Sequence, residues 1–183
     1  MIAEIIIDIQ NKQVNRSFDY LIPDYLENIV MVGSRVIVPF GSLKRTGFVV
    51  KIKDYTEYKN NLKEITDIVD LKRVLNEEFI SLAKYISENN FSFYATALET
   101  MIPTALKIKY QKVVTPISFD SMSDEAKALF KRREIILDNL DLERQKLIYN
   151  EIKKNNVSVD TKIKVKKDKE VTMIHLLDDT IEL

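Results

Sequence analysis

Few side chains in this sequence could carry out catalysis, and their spacing matches none of the common catalytic arrangements. The chain contains no cysteine, which excludes disulfides, thiolate zinc sites and a cysteine nucleophile. The single histidine, His175, stands next to a Leu-Leu pair, and a lone histidine is usually a packing or surface residue. No Gly-x-x-x-x-Gly-Lys motif, paired-carboxylate set or Ser-His-Asp set is visible. We therefore expect a non-enzymatic protein that uses no cofactor and no metal.

The charges of the chain balance, with 28 lysines and arginines against 28 aspartates and glutamates in 183 residues. No overall field draws in a polyanion, so any contact with nucleic acid has to use a local patch or a shaped pocket. No apolar run approaches the roughly 20 residues that span a bilayer. Residues 1–4 lack the basic flank of a signal peptide. These features predict a cytoplasmic protein that does not contact membranes.

The three glycines, Gly33, Gly41 and Gly47, lie within fifteen residues of one another and mark a region of tight turns. Around them, β-branched and aromatic residues predict five short strands, at 2–9, 18–22, 35–40, 47–53 and 65–71. Alternation in the fourth strand places Phe48, Val50 and Ile52 on one face, and Val49, Lys51 and Lys53 on the other. This succession suggests a small, partly open barrel.

Helices are predicted after the strands. Asn76 is a suitable N-cap for a helix whose apolar face contains Phe79, Leu82, Ala83 and Ile86, and a shorter helix over 94–101 ends before Pro103. The segment 104–123 is predicted to be a connection with a strand at 109–116. Further helices are predicted at 124–140 and 142–155. Residues 157–165 fit strand or loop, and 171–177 fit helix or strand. The prediction is a mainly β domain over 1–106 with one or two helices, then a small α/β or mainly helical domain over 107–183.

Three sequence strings stand out together: Arg16-Ser17-Phe18-Asp19-Tyr20-Leu21-Ile22-Pro23, Gly33-Ser34-Arg35-Val36-Ile37-Val38-Pro39-Phe40-Gly41, and Arg45-Thr46-Gly47-Phe48-Val49-Val50. Their order and spacing resemble the start of the PriA family of bacterial replication-restart helicases, over about residues 1–106. The match continues at 62–65, 67–70 and Ile102-Pro103. The resemblance implies an OB-like domain that binds the 3′ end of a nascent DNA strand at stalled or branched forks, during primosome assembly. The family's helicase motor, with its Walker A loop and cysteine-bound zinc, is absent from this sequence.

The resemblance further implies that Phe18, Asp19, Tyr20, Gly41 and Lys63 line the pocket for the terminal nucleotide. A carboxylate repels phosphate but accepts hydrogen bonds from a base edge or a free hydroxyl, so it would admit a strand that ends and repel one that continues. Gly41 would let the backbone approach the sugar, an aromatic ring would stack on the base, and Lys63 would hold a phosphate. In the alternative interpretation, Phe18 and Tyr20 are core residues, Asp19 faces solvent, and the glycines only form turns.

The domain that follows in the PriA family is a winged helix, which normally places one helix in the major groove of duplex DNA. Residues 124–183 resemble it only loosely, because no wing hairpin is evident. Candidate contacts to the DNA backbone are Arg16, Arg35, Lys44, Arg45, Lys131, Arg132 and Arg133, with 162–169 as a further basic run, although such a run is usually a solvated face. The expected partners are forked DNA with a 3′ end and other replication-restart or primosome proteins. The rival hypothesis, which the neutral charge favours, is a protein-interaction module that docks onto replication or ribosomal partners without binding DNA.

Overall fold

A computed structural model describes residues 1–57, 62–107, 110–130 and 134–163 of the chain. The N-terminal part contains an antiparallel sheet with the strand order β2-β1-β4-β3-β5. Its strands are β1 (Ile2–Ile7), β2 (Ser17–Leu21), β3 (Arg35–Phe40), β4 (Leu43–Lys53) and β5 (Asp67–Ile68). All five strands fall where the sequence predicts them, although β4 begins earlier and β5 is much shorter than expected.

The sheet curls so that its outer edge at β2 meets the segment that precedes β5. The main-chain N–H of Leu21 donates to the carbonyl of Lys63 at 2.9 Å, and the N–H of Ile65 donates to the carbonyl of Leu21 at 3.0 Å. These two hydrogen bonds form an isolated bridge between residues that lie far apart in sequence. The resulting curled, mainly β architecture is compatible with an OB-like domain.

The two faces of this sheet pack against different partners. One face contributes Tyr20, Val36 and Ile68 to the interior of the curled sheet. The other face, with Ile6 and Phe48, packs against helices α1 (Glu77–Asn89) and α2 (Tyr94–Thr100). The start of α1 is capped as predicted, because the side chain of Asn76 accepts a hydrogen bond from the Phe79 N–H at 2.9 Å.

A β-bulge interrupts the alternation predicted for β4. Glu4 of β1 pairs with Lys51 and Ile5 pairs with Val49, so the register skips Val50. Consequently Ile52 packs in the interior with Val49, and not with Phe48 and Val50 on the helix side. The predicted grouping of Phe48, Val50 and Ile52 is therefore wrong. The bulge turns the following lysines, Lys51 and Lys53, towards the helix side of the sheet.

The described residues of the C-terminal part form a second antiparallel sheet, with the order β7-β6-β8, and two helices. Its elements are β6 (Tyr110–Pro116), α3 (Asp124–Leu129), β7 (Ile135–Ile136), α4 (Leu142–Lys153) and β8 (Val157–Ile163). The predicted helix over 124–140 is wrong, since α3 ends at Leu129. Ile135 and Ile136 instead pair with Val114 and Val113 of β6, so tertiary strand pairing replaces helical hydrogen bonds. A winged helix stays a prediction, and 171–177 and 164–169 lie outside the described residues.

A buried lysine joins the two sheets. The ammonium of Lys112 in β6 lies 3.3 Å from the carboxylate of Asp67 in β5 and 3.4 Å from that of Asp138, and it donates to the Ile68 carbonyl at 2.8 Å. The Tyr149 hydroxyl of α4 donates to Asp67 at 2.7 Å. Burial, followed by the nearby Asp67 charge, raises the pKa of Tyr149. The two parts thus share a polar contact across the predicted boundary at residue 106, which itself stays a prediction.

No helix within the described ranges has the length and apolar character that crossing a membrane demands.

Candidate functional site

A concave pocket of about 600 Å³ lies along the outer edge of β2, beside the turn between β3 and β4. We refer to it as the end pocket. It brings together all five residues that the sequence analysis assigns to one site, although they come from three separate segments. Its lining residues are Arg16, Ser17, Phe18, Asp19, Tyr20, Pro39, Phe40, Gly41, Leu62 and Lys63.

Aromatic side chains attach the wall of the end pocket to the interior of the sheet. The Tyr20 hydroxyl donates to the main-chain carbonyl of Pro39 at 3.1 Å, and burial raises the pKa of Tyr20. The rings of Phe18 and Phe40 meet edge to face, with their centroids 5.4 Å apart. These contacts hold the end of β3 against β2. Tyr20 is almost entirely buried, at 4% exposure, so it shapes the wall of the pocket, while the half-buried Phe18 is the ring with surface available for stacking.

Different structural features position Lys63 and Gly41 at the end pocket. Lys63 lies more than forty residues after β2 in sequence, and the hydrogen bond between its carbonyl and the Leu21 N–H fixes it beside that strand. Gly41 has a φ of +60° in the turn that joins β3 to β4. A Cβ atom at Gly41 would meet nothing within 4 Å, so this part of the rim is open.

The position of Asp19 follows from its place in an edge strand. Leu21 uses both its N–H and its C=O towards the outer side of β2, and main-chain groups in a strand alternate with a period of two. The N–H and C=O of Asp19 therefore also face outwards, into the end pocket. The same alternation directs its side chain to the face opposite Phe18 and Tyr20. Asp19 thus presents main-chain groups to the pocket and its carboxylate to the neighbouring surface.

The Asp19 carboxylate is held by partners that the sequence analysis did not identify. It lies 2.9 Å from the ammonium of Lys53 and accepts a hydrogen bond from the Thr56 hydroxyl, and only 7% of its side chain is exposed. Lys53 also lies 2.9 Å from Glu4, which stands directly opposite Asp19 in the strand pair. Hydrogen bonds to Glu4 and then to Asp19 raise the pKa of Lys53, so it stays a cation at neutral pH. The bulge in β4 brings Lys53 to the side of the sheet on which the Asp19 carboxylate lies. A regular alternation along β4 therefore does not predict this ion pair.

The predicted contacts to the DNA backbone divide into three groups. Arg16 lines the end pocket, with its guanidinium 5.1 Å from the centre of the Phe18 ring, and Lys44 and Arg45 are exposed in β4 near the turn at Gly41. Arg35 instead forms two hydrogen bonds to Asp70, at 2.6 and 2.9 Å, and a third to a main-chain carbonyl. We therefore assign Arg35 a structural role, in which it holds Asp70 beside β3. Lys131, Arg132 and Arg133 lie outside the described residues.

The groups that line the end pocket are suited to binding a ligand. Aromatic surface, outward main-chain groups and cations at the rim are the groups with which proteins hold single-stranded nucleic acid. Within the ranges that the structure describes, no three carboxylate or imidazole groups converge as ligands for a metal ion. The geometry defines a small β domain whose strand edge carries a ligand pocket.

The 3′-DNA-binding domain of PriA (3'BD) is the family whose model matches residues 4–103, more than half of the chain. The chain belongs to this family. It is 37% identical over 172 residues to the replication restart protein PriA of Bacillus subtilis (strain 168), an alignment that covers 92% of this chain and 21% of that protein. It is 33% identical over 107 residues to the replication restart protein PriA of Chlamydia trachomatis serovar D, covering 56% of this chain and 14% of that protein. The chain therefore spans about a fifth of the length of these relatives, or less.

Proposed function

We propose that this chain binds the 3′ end of a nascent DNA strand at stalled or branched replication forks and so contributes to replication restart. The observation that carries the proposal is the end pocket, in which Phe18, Asp19, Tyr20, Gly41 and Lys63 line one cavity of about 600 Å³. That volume lies within the range of small-ligand sites, roughly 300–1,000 Å³, and so fits one nucleotide. The family model and the PriA relatives support the same function.

The pocket suggests how a terminal nucleotide would be held. The outward N–H and C=O of Asp19 can donate to and accept from a base edge or the sugar hydroxyl. The exposed part of the Phe18 ring can stack on the base, and Lys63 and Arg16 can approach the phosphate that precedes the terminal nucleotide. The open rim at Gly41 leaves space for the sugar.

Discrimination between a strand that ends in the pocket and one that continues past it would depend on the Asp19–Lys53 ion pair. A strand that continues past the pocket carries a further phosphate, which the Asp19 carboxylate on the neighbouring surface repels at longer range. Lys53 compensates part of that negative charge, because its ammonium lies 2.9 Å from both Asp19 and Glu4. The repulsion is therefore weaker than for a lone carboxylate, on the order of 1 kcal/mol. Lys53 is expected to set its strength.

Fluorescence anisotropy with a fork whose leading strand ends in a 3′-hydroxyl or a 3′-phosphate tests this proposal. We expect the wild-type chain to bind the hydroxyl end about fivefold more tightly, which corresponds to roughly 1 kcal/mol. Asp19→Asn should reduce that preference, and Lys53→Met should increase it by leaving Asp19 and Glu4 without their cation. Equal affinity of the wild-type chain for both ends would contradict the proposal. Thermal melting of both variants checks that they fold.

A second candidate function, docking onto replication proteins, is supported by an exposed apolar stripe on α1. Phe79, Leu82 and Tyr85 are 46%, 47% and 63% exposed and follow one another at helical spacing. If the stripe is a docking surface, Leu82→Glu should abolish retention of other primosome proteins on the immobilised chain and leave fork binding unchanged. Unchanged retention would contradict the docking function.

A further inference from the structure

A second groove, of about 420 Å³, runs between the helix side of the N-terminal sheet and helix α1. We refer to it as the helix groove. Arg16 and Ser17 line both this groove and the end pocket, so the two cavities adjoin. The residues that line the helix groove are Glu4, Ile6, Asn15, Arg16, Ser17, Val50, Lys51, Ile80, Ser81, Lys84, Ser87, Glu88 and Tyr94.

Three cations from separate parts of the chain line the helix groove. Arg16 precedes β2, Lys51 follows the bulge in β4, and Lys84 belongs to α1. Neither Arg16 nor Lys51 forms an ion pair with any residue that the structure describes. Lys84 has only a long contact of 4.0 Å with Glu88, and both of these side chains are mostly exposed. These cations are available to a ligand that carries several negative charges.

The lining of the helix groove contains two carboxylates, Glu4 and Glu88, against three cations, Arg16, Lys51 and Lys84. Glu4 lies 2.9 Å from Lys53, and Glu88 contacts Lys84. With Arg16 and Lys51 added, the groove keeps an excess of positive charge although the chain as a whole is neutral. Ser17, Ser81 and Ser87 line the same groove as the cations. This mixture of separated cations and small hydroxyls is typical of contacts to a phosphodiester backbone.

An exposed aromatic ring lies in a loop that is hydrogen-bonded to a residue of the helix groove. Phe91, in the loop between α1 and α2, is completely exposed and has a φ of +53°, a conformation that bulky residues rarely adopt. The Ser87 hydroxyl, which lines the groove, donates to the main-chain carbonyl of Ser92 at 2.8 Å and so ties this loop to the groove. A fully exposed phenylalanine in a strained loop gains nothing from packing, but it offers both faces to a stacking base.

We propose that the helix groove binds the nucleotides that precede the 3′-terminal one in the same single strand. Arg16 contacts the strand where it leaves the end pocket. Lys51 and Lys84 contact its phosphates, and Phe91 stacks on one of its bases. The proposal rests on the proposed binding of a 3′ terminus in the end pocket. It assigns to this part of the chain a preference for several unpaired nucleotides behind the end.

The experiment measures the anisotropy of labelled single strands of two, four and six nucleotides, each with a free 3′-hydroxyl. We expect the affinity of the wild-type chain to rise about tenfold or more from two to six nucleotides. Lys51→Ala/Lys84→Ala should abolish most of that gain and leave dinucleotide binding unchanged. The slope of log affinity against log salt for the hexanucleotide should fall by about 1.4, because two phosphate contacts are lost at roughly 0.7 each. Lys127→Ala/Lys154→Ala, which removes two lysines of the C-terminal part, serves as the matched control.

Phe91→Ala should weaken hexanucleotide binding by about fivefold or more. Phe91→Trp should bind the hexanucleotide as tightly as the wild-type chain, because stacking depends on an aromatic ring. An affinity that does not rise with length in the wild-type chain, or a gain that survives in Lys51→Ala/Lys84→Ala, would overturn this proposal. In either case a preserved preference of the dinucleotide for a hydroxyl over a phosphate end would leave the proposed function of the end pocket standing. Loss of that preference would contradict the end pocket itself.

Discussion

Gly33→Ala is expected to destabilise the chain by about 3 kcal/mol or more, which corresponds to a decrease in melting temperature of about 6–12 °C for a chain of this size. Gly33 has a φ of +93°, where a side chain is strained, and a Cβ atom there would lie 1.7 Å from the main-chain oxygen of Leu75. The backbone would have to move, and Gly33 is held on both sides: its N–H donates to Val49, and its carbonyl accepts from Val74 and Leu75. Urea denaturation followed by circular dichroism measures the loss.

Gly41→Ala is the matched control for this prediction. Gly41 also has a positive φ, of +60°, but an added Cβ atom would contact nothing within 4 Å. The cost should therefore be limited to backbone strain, about 1–2 kcal/mol. An equal loss of stability in Gly33→Ala and Gly41→Ala would show that the Leu75 carbonyl does not set the requirement for glycine at position 33.

Lys112→Met is expected to cost about 2–3 kcal/mol, because it removes the buried cation from two carboxylates that are partly exposed and leaves the Ile68 carbonyl without its donor. The side chain of Lys112 is 6% exposed and its ammonium lies between Asp67 and Asp138, at 3.3 and 3.4 Å. The loss should be concentrated at the junction of the two sheets, so limited proteolysis should cleave between them before either part unfolds. Denaturation curves and cleavage patterns of the variant and wild-type chains measure both effects.

The variant Lys112→Met/Asp67→Asn distinguishes the ion pair from simple packing. Removing both partners should recover part of the stability lost in Lys112→Met, since one uncompensated carboxylate disappears. As a control, Lys127→Met should change stability by about 0.5 kcal/mol or less, because Asp124, the ion-pair partner of Lys127, is almost fully exposed. No recovery in the double variant would assign the effect to the volume of the lysine side chain.

Local patterns in the sequence predicted most of the N-terminal elements. The five strands, the Asn76 cap of α1 and the grouping of Phe18, Asp19, Tyr20, Gly41 and Lys63 are all present in the structure. The grouping came from resemblance, because the spacing of residues does not by itself bring Lys63 to β2. That proximity depends on hydrogen bonds across more than forty residues.

The features that the sequence did not predict are those that depend on pairing between distant strands. The bulge beside Glu4 decides that Lys53 reaches Asp19, and a simple alternation of period two contains no sign of it. In the C-terminal part, the helical periodicity over 124–140 is overridden after Leu129 by pairing of Ile135 and Ile136 with β6. Tertiary context outweighs local propensity at these positions.

The end pocket is complete only when the bridge between Leu21 and Glu64 has formed. Lys63 has no position beside β2 until the loop between them has closed, and closing a loop of about forty residues costs more chain entropy than forming any hairpin of the sheet. A ligand that binds only the closed form draws that equilibrium towards closure. The amides of Leu21 and Ile65 should thus exchange with deuterium more slowly when an oligonucleotide is bound, and their exchange rates report directly on the fraction of molecules that are competent to bind.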